Sequence, residues 1–87
     1  MQPKASDWRN LVQRVLKTEL SKKGVKYQDL SDKLKAVGVA QSADNLRNKI
    51  NKGILGADLL LQIMFVLNIK QIRHEDISEM LSDIESN

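Results

Sequence analysis

The chain lacks cysteine and has very little histidine, proline or aromatic character. Its 87 residues include no cysteine, one histidine, one proline and 3% aromatics. Disulfides, thiol catalysis and cysteine-ligated zinc are therefore excluded, and the cysteine usage is typical of a reducing cytosol. The single histidine, His74, has no second imidazole with which to share a metal ion. We expect it at a helix start or on the surface, and we expect no metal site.

Long apolar runs and base-stacking platforms are also missing. One tryptophan, one tyrosine and one phenylalanine are too few for the stacked surface that single-strand-binding proteins use. The most apolar stretch, residues 54–69, is too short to span a bilayer and contains Asp58 and Gln62. The amino-terminal residues form no apolar signal segment. These absences predict a cytoplasmic protein with no membrane segment and no cofactor.

What is present is the composition of a folded domain with an uneven charge. Hydrophobic residues make up 41% of the chain and charged residues 29%, which is typical of one small globular domain. Residues 1–53 carry twelve basic and five acidic residues, a net charge of +7, whereas residues 54–87 carry two basic and six acidic residues, a net charge of −4. The basic part favours a polyanionic partner, and the alternative is a well-solvated surface.

Apolar spacing predicts an all-α protein of five helices, over about 8–22, 27–37, 42–52, 57–67 and 75–85. In the first helix, apolar residues recur at i, i+3, i+4, i+7 and i+8 from Trp8, which is one face of an α-helix. Ser6 or Asp7 is expected to cap its start, and Gly24 its end. We expect a flexible leader over residues 1–7 and a single helical domain over residues 8–87.

The fourth and fifth helices differ in their apolar surfaces. The fourth is apolar nearly all round from Leu59 to Leu67, so it is expected to be the central, buried helix. The fifth is amphipathic, with acidic residues in its first turn. Its apolar stripe has two equally weighted roles, as the interface of a homodimer or as closure of the monomer's own core. The stripe comprises Ile77, Met80, Leu81 and Ile84.

The second and third helices, over about 27–52, form the pair that bears on function. Their short linker begins with Gly38, includes an apolar Val39 that can fill the gap between helices, and ends at a capping Ser42. This composition is typical of a helix-turn-helix, in which two helices cross steeply around a tight turn. Short αα-corners also occur in many other helical proteins, so this composition alone is a weak indication. The residues on the outward face of the third helix add to it.

That outward face is rich in amides. With Leu46 and Ile50 inward at ~100° per residue, three asparagines are exposed together, although asparagine is a poor helix former. Amide side chains pair with adenine edges in the major groove. The alternative is that Asn45 and Asn48 are ordinary surface residues or bond locally to backbone. The predicted contacts to DNA bases are Gln41, Asp44, Asn45, Asn48 and Asn51, of which the aspartate would need to accept from a cytosine amine.

Basic residues surround the same face. Lysine, arginine and the free amides of a helix start are the groups that commonly contact phosphates. The start of the second helix and the flanks of the third supply them. The predicted phosphate contacts are Lys26, Tyr27, Gln28, Arg47, Lys49 and Lys52.

Two family resemblances extend these predictions. The segment Tyr27-Gln28-Asp29-Leu30-Ser31 and the later Gly53 are similar to the Cro and lambda-repressor (XRE-type) helix-turn-helix domain, where a Gln-x-x-Leu-Ala start and a glycine after the recognition helix recur. The resemblance implies a five-helix lambda-repressor-like fold and transcriptional regulation. The chain is about three residues longer than the usual repressor spacing from Leu30 to Gly38, and again from Gly38 to Gly53.

A closer likeness covers roughly residues 8–69. Here the chain resembles a group of small, functionally uncharacterised bacterial proteins with a helix-turn-helix-like fold. The most specific element is the string Asn45-Leu46-Arg47-Asn48-Lys49-Ile50. This second resemblance implies the fold and no particular activity.

Together these observations predict a sequence-specific, double-stranded DNA-binding transcriptional regulator. A homodimer would present two third helices to half-sites one DNA turn, ~34 Å, apart. The alternative is a helical protein-interaction module, an adaptor or antitoxin-like partner that uses the same fold without reading DNA. A membrane-surface role is less favoured because the apolar stripe of the first helix suits a core. We expect no enzyme, since no Ser-His-Asp set is present.

Overall fold

A computed structural model describes residues 3–86, which form five α-helices and no strands. The predicted all-α class with five helices is confirmed. Residues 1 and 2 of the predicted leader and residue 87 of the predicted domain lie outside the described residues. The helices are α1 (Ala5–Lys23), α2 (Tyr27–Ala36), α3 (Ala43–Lys52), α4 (Ala57–Val66) and α5 (His74–Ser86).

The first helix begins three residues earlier than its apolar spacing predicts. Lys4 is the N-cap residue, in an extended conformation. Its backbone N–H donates to Oδ2 of Asp7 at 2.9 Å, so the carboxylate satisfies the helix start from inside the first turn. The prediction that Ser6 or Asp7 is the cap was therefore wrong, since both residues are helical.

Aliphatic side chains alone make the buried core. The helix α1 packs against α3 and α5, and α2 packs against α3 and α4. Every fully buried side chain in the described part of the chain is leucine or isoleucine, and no polar residue there is buried. Three per cent aromatics made this composition predictable. The main cluster contains Leu16, Leu20, Leu30, Leu34, Leu46, Ile50, Leu59, Ile63 and Leu67.

The turn between α2 and α3 has the features that its composition predicts. Gly38 adopts φ +84°, a left-handed conformation that disfavours side chains. Val39 is partly buried against the core. Oγ of Ser31 donates to the backbone carbonyl of Gln41, which ties the turn to α2. Ser42 then caps α3, because its Oγ accepts the backbone N–H of Asn45 at 3.0 Å.

The fourth helix is not buried all round, so that prediction was wrong. Leu59 and Ile63 are buried, whereas the side chains of Leu61 and Phe65 are 64% and 75% exposed. At ~100° per residue the exposed pair lies opposite Ile63. The helix packs closely on α2, and a chain of this size has too few elements to cover its other face.

The apolar stripe of α5 lies against α1. Met80 shares a surface crevice with Val15 and Thr18, and Ile77 shares another with Leu11 and Val12. All four predicted stripe residues, Ile77 to Ile84, are partly buried, and no residue of this helix is fully buried. The stripe therefore helps to close the monomer, and it retains some exposed surface.

Two classes of feature do not occur within residues 3–86. No helix there combines the length and the apolar character needed to cross a bilayer. No group of three or more His, Cys, Asp or Glu side chains is arranged to hold a metal ion.

The start of α5 should show a small pH dependence. Arg73 donates to both carboxylate oxygens of Asp76, at 3.1 Å from Nη2 and 3.2 Å from Nε. These hydrogen bonds hold the pKa of Asp76 below its ordinary value. The pair therefore adds stability above the unfolded pKa of about 3.9, and this contribution is lost as pH falls through the folded pKa.

Titration of the Asp76 carboxyl by NMR tests this expectation. The measured pKa should lie below the ordinary value in the natural chain and should rise in the Arg73→Gln variant. High salt should bring the two values together because both groups face solvent. Equal pKa values in the two chains at low salt would contradict the ion pair.

Candidate nucleic-acid interface

The helix α3 presents its predicted outward face to solvent. Its buried side chains, Leu46 and Ile50, have no exposed surface. The five residues predicted to face outward are exposed together on the opposite side: Asp44, Asn45, Asn48, Asn51 and Lys52. The structure thus brings four of the five predicted base contacts onto one surface of one helix.

The amides on this face are unengaged. Within residues 3–86, the side chains of Asn45, Asn48 and Asn51 make no hydrogen bond, and only the backbone of Asn45 reaches the Ser42 cap. Local bonding to backbone, one of the two alternatives, therefore does not occur for these side chains in the described part of the chain. The other alternative is that they are ordinary surface residues. Each amide keeps a donor and an acceptor for a partner, and asparagine offers little to helix stability in return.

A second feature of the face is an arginine held between two helices. Nη1 of Arg47 lies 2.7 Å from Oδ1 of Asp44, one helical turn away. Its guanidinium carbon also lies 5.2 Å from the ring centroid of Tyr27 at the start of α2, within cation–π range. The charge of Asp44 is therefore compensated by its neighbour, so this aspartate is better described as a partner of Arg47 than as a free acid.

An open groove of about 870 Å³ lies beside this arginine, between the end of α1, the start of α2 and α3. The groove brings together four predicted phosphate contacts, three at the start of α2, including its N-cap residue Lys26, and one on α3. Lys17 of α1 adds a further cation, which was not among the predicted contacts. The spacing of residues along one helix does not show which side chains of another helix lie beside it. The polar lining comprises Lys17, Lys26, Tyr27, Gln28, Asp44, Arg47 and Asn51.

Two predicted site residues lie on the other flank of α3. Nζ of Lys49 donates to Oε1 of Gln41 at 3.3 Å, and both side chains are partly buried. Neither lines the groove. Lys49 and Gln41 therefore lie on the side of α3 opposite Arg47, next to the turn between α2 and α3.

At the start of α2, which was predicted to bind phosphate, one backbone N–H group already has a hydrogen-bond partner. Lys26 is the N-cap residue of α2, and its backbone N–H donates to Oδ2 of Asp29 at 3.0 Å. The amide of Gln28 donates to Oδ1 of Asp32 at 3.1 Å. A phosphate at this point would face the carboxylate of Asp29, so the exposed ammonium of Lys26 is the stronger attraction for it.

Comparison with known proteins identifies a family. The family described as Domain of unknown function (DUF6471) matches residues 8–72, and the chain belongs to this family. The matched segment includes α2, α3, the groove and α4, and it ends before α5. No curated protein and no solved structure matches the chain.

Proposed function

We propose that the chain is a double-stranded DNA-binding transcriptional regulator with a lambda-repressor-like, XRE-type helix-turn-helix. In this proposal α3 enters the major groove as the recognition helix. The observation that carries the proposal is the set of three exposed, unengaged amides of Asn45, Asn48 and Asn51 on one face of α3. Such amides match the donor and acceptor pattern of adenine in the major groove.

The surrounding charge supports a nucleic-acid partner. The net charge of +7 over residues 1–53 belongs to the part of the chain that contains α3. Arg47, Lys26 and Lys17 line the groove beside the amide face, where the phosphates that border a major groove would lie. Because Arg47 compensates Asp44, the one acid on the face repels phosphates less than an isolated carboxylate would.

The proposed regulator acts in the cytoplasm as a homodimer. Two copies would place their α3 helices in successive major grooves, ~34 Å apart along the DNA. We propose no catalytic role, no cofactor and no metal.

Selection of duplexes from a randomised library, followed by fluorescence anisotropy on the enriched sequence, tests the proposal. The double variant Arg47→Ala with Asn48→Ala should weaken binding by at least ~10-fold, because a single bidentate base contact contributes roughly 1–3 kcal/mol. Arg47→Ala alone should also reduce the slope of log affinity against log salt concentration by about 1, as expected for the loss of one phosphate contact. Asn48→Ala alone should mainly relax base preference.

The matched control is Asn10→Ala with Arg14→Ala. It removes the same two residue types from exposed positions of α1, and it should leave affinity nearly unchanged apart from a small effect of net charge. Equal affinity of the α3 double variant and the natural chain would show that α3 is not the reader. A library that enriches no sequence would instead favour the protein-interaction module.

A further inference from the structure

The outer face of α4 carries an apolar stripe that no described helix covers. Leu61 and Phe65 lie one turn apart, and both are more than half exposed. Partly buried Met64 borders them. Single exposed apolar residues are common on protein surfaces, whereas two neighbouring ones on a helix give a continuous contact strip.

We propose that this stripe pairs with the same stripe of a second copy, with the two α4 helices antiparallel. A two-fold axis near residue 63 places each Leu61 against the partner's Phe65, because the two residues are equally far from that axis. An interface of this kind is self-complementary, as two-fold symmetry requires. Each Phe65 ring then packs against a smaller leucine side chain of the partner copy, and the two rings do not clash.

Charges at the two ends of the stripe favour this partner and this orientation. Asp58 is exposed in the first turn of α4, and Lys70 is exposed shortly after its last turn. No other charged residue occurs between them in the sequence. An antiparallel pair brings each Asp58 near the partner's Lys70, whereas a parallel pair would bring like charges together. The antiparallel arrangement also opposes the two helix dipoles.

The location of α4 is compatible with an exposed recognition helix. The helix α3 packs against α1 and α2, whereas α4 packs against α2 and not against α3, so a second copy bound to α4 need not cover the amide face. The apolar stripe of α5, which the sequence predicts either as the homodimer interface or as closure of the monomer core, is already turned towards α1. The inference rests on the proposed homodimer and does not depend on DNA binding.

Sedimentation equilibrium of the full chain without DNA tests the pairing. Two exposed apolar side chains per copy supply less area than a standard interface of ~800 Å² per partner, so the natural chain should dimerise weakly, with a dissociation constant in the micromolar range. Phe65→Asp should weaken dimerisation by at least ~30-fold, as expected for a central aromatic side chain. Its thermal unfolding should be unchanged in the monomer because the ring is largely exposed. Trp8→Asp, at a half-exposed aromatic position on α1, should leave dimerisation unaltered.

A charge exchange tests the orientation. Asp58→Lys alone should weaken the dimer because it places two cations together, and adding Lys70→Asp should restore it. A chain that stays monomeric up to millimolar concentration, an unaffected Phe65→Asp variant or a charge exchange that fails to restore dimerisation would each overturn the proposal. These failures are distinct from failure of the DNA-binding proposal, which is measured on the α3 variants with DNA present.

Discussion

Gly53→Ala should be among the most destabilising single substitutions in this chain. Gly53 ends α3 with φ +63°, and a Cβ there would collide with the backbone carbonyl oxygen of Arg9 and lie 2.7 Å from its carbonyl carbon. The left-handed conformation costs a side chain roughly 1–2 kcal/mol, and overpacking against rigid backbone adds roughly 1–3 kcal/mol. The free energy of unfolding should fall by about 2–5 kcal/mol, a large fraction of the roughly 4–13 kcal/mol expected for a domain of this size.

The matched control for this substitution is Gly24→Ala. Gly24 ends α1 with φ +65°, nearly the same conformation, but a Cβ there would meet nothing within 4 Å. Its cost should be limited to the conformational part, roughly 1–2 kcal/mol. Urea denaturation followed by circular dichroism measures both variants. Equal losses would show that α3 does not approach α1 as closely as described.

Leu46→Ala should have a comparably large effect. Leu46 is fully buried on the inner face of α3, so truncation removes apolar contact and leaves a cavity, at a cost of about 2–5 kcal/mol. Because α3 packs against both α1 and α2, the cavity would loosen the contacts that fix the orientation of the amide face. Any DNA affinity should therefore fall together with stability.

The comparison for Leu46→Ala is Leu61→Ala, the same substitution at a position that is 64% exposed. Measured at a concentration where the chain is monomeric, it should change the free energy of unfolding by no more than about 0.5 kcal/mol. Chemical denaturation of the two variants under one set of conditions separates them. Similar losses would mean that the outer face of α4 is packed against something within the monomer.

The contrast between these two leucines shows where sequence reasoning succeeds and where it stops. In α3 the apolar residues are few and regularly spaced, so the phase of Leu46 and Ile50 identified both the buried and the exposed faces. In α4 nearly every residue is apolar, and the periodic signal that distinguishes faces is lost. Which side of α4 is covered depends on how the other helices pack around it. The residues of α4 alone do not determine this.

The candidate site divides in the same way. The ion pair between Asp44 and Arg47 is permitted by their spacing on one helix, although both residues were predicted only as DNA contacts. The cap at Ser42 was predicted from residue type and is confirmed. The approach of Tyr27 to Arg47 and the presence of Lys17 in the groove depend on distances between helices. The early start of α1 at Ala5 was missed for another reason, because the carboxylate that stabilises its N-cap residue Lys4 lies inside the helix at Asp7.

The attachment of α5 has a consequence for how the folded chain opens. A helix with no fully buried residue, held mainly against α1, can detach for only part of the free energy that unfolds the whole domain. We therefore expect its amides to exchange with solvent through partial opening, and those of α2 and α3 through global unfolding. During each such excursion the side of α1 near Leu11 and Val15 meets water, and this transient surface is where proteolysis or aggregation would begin.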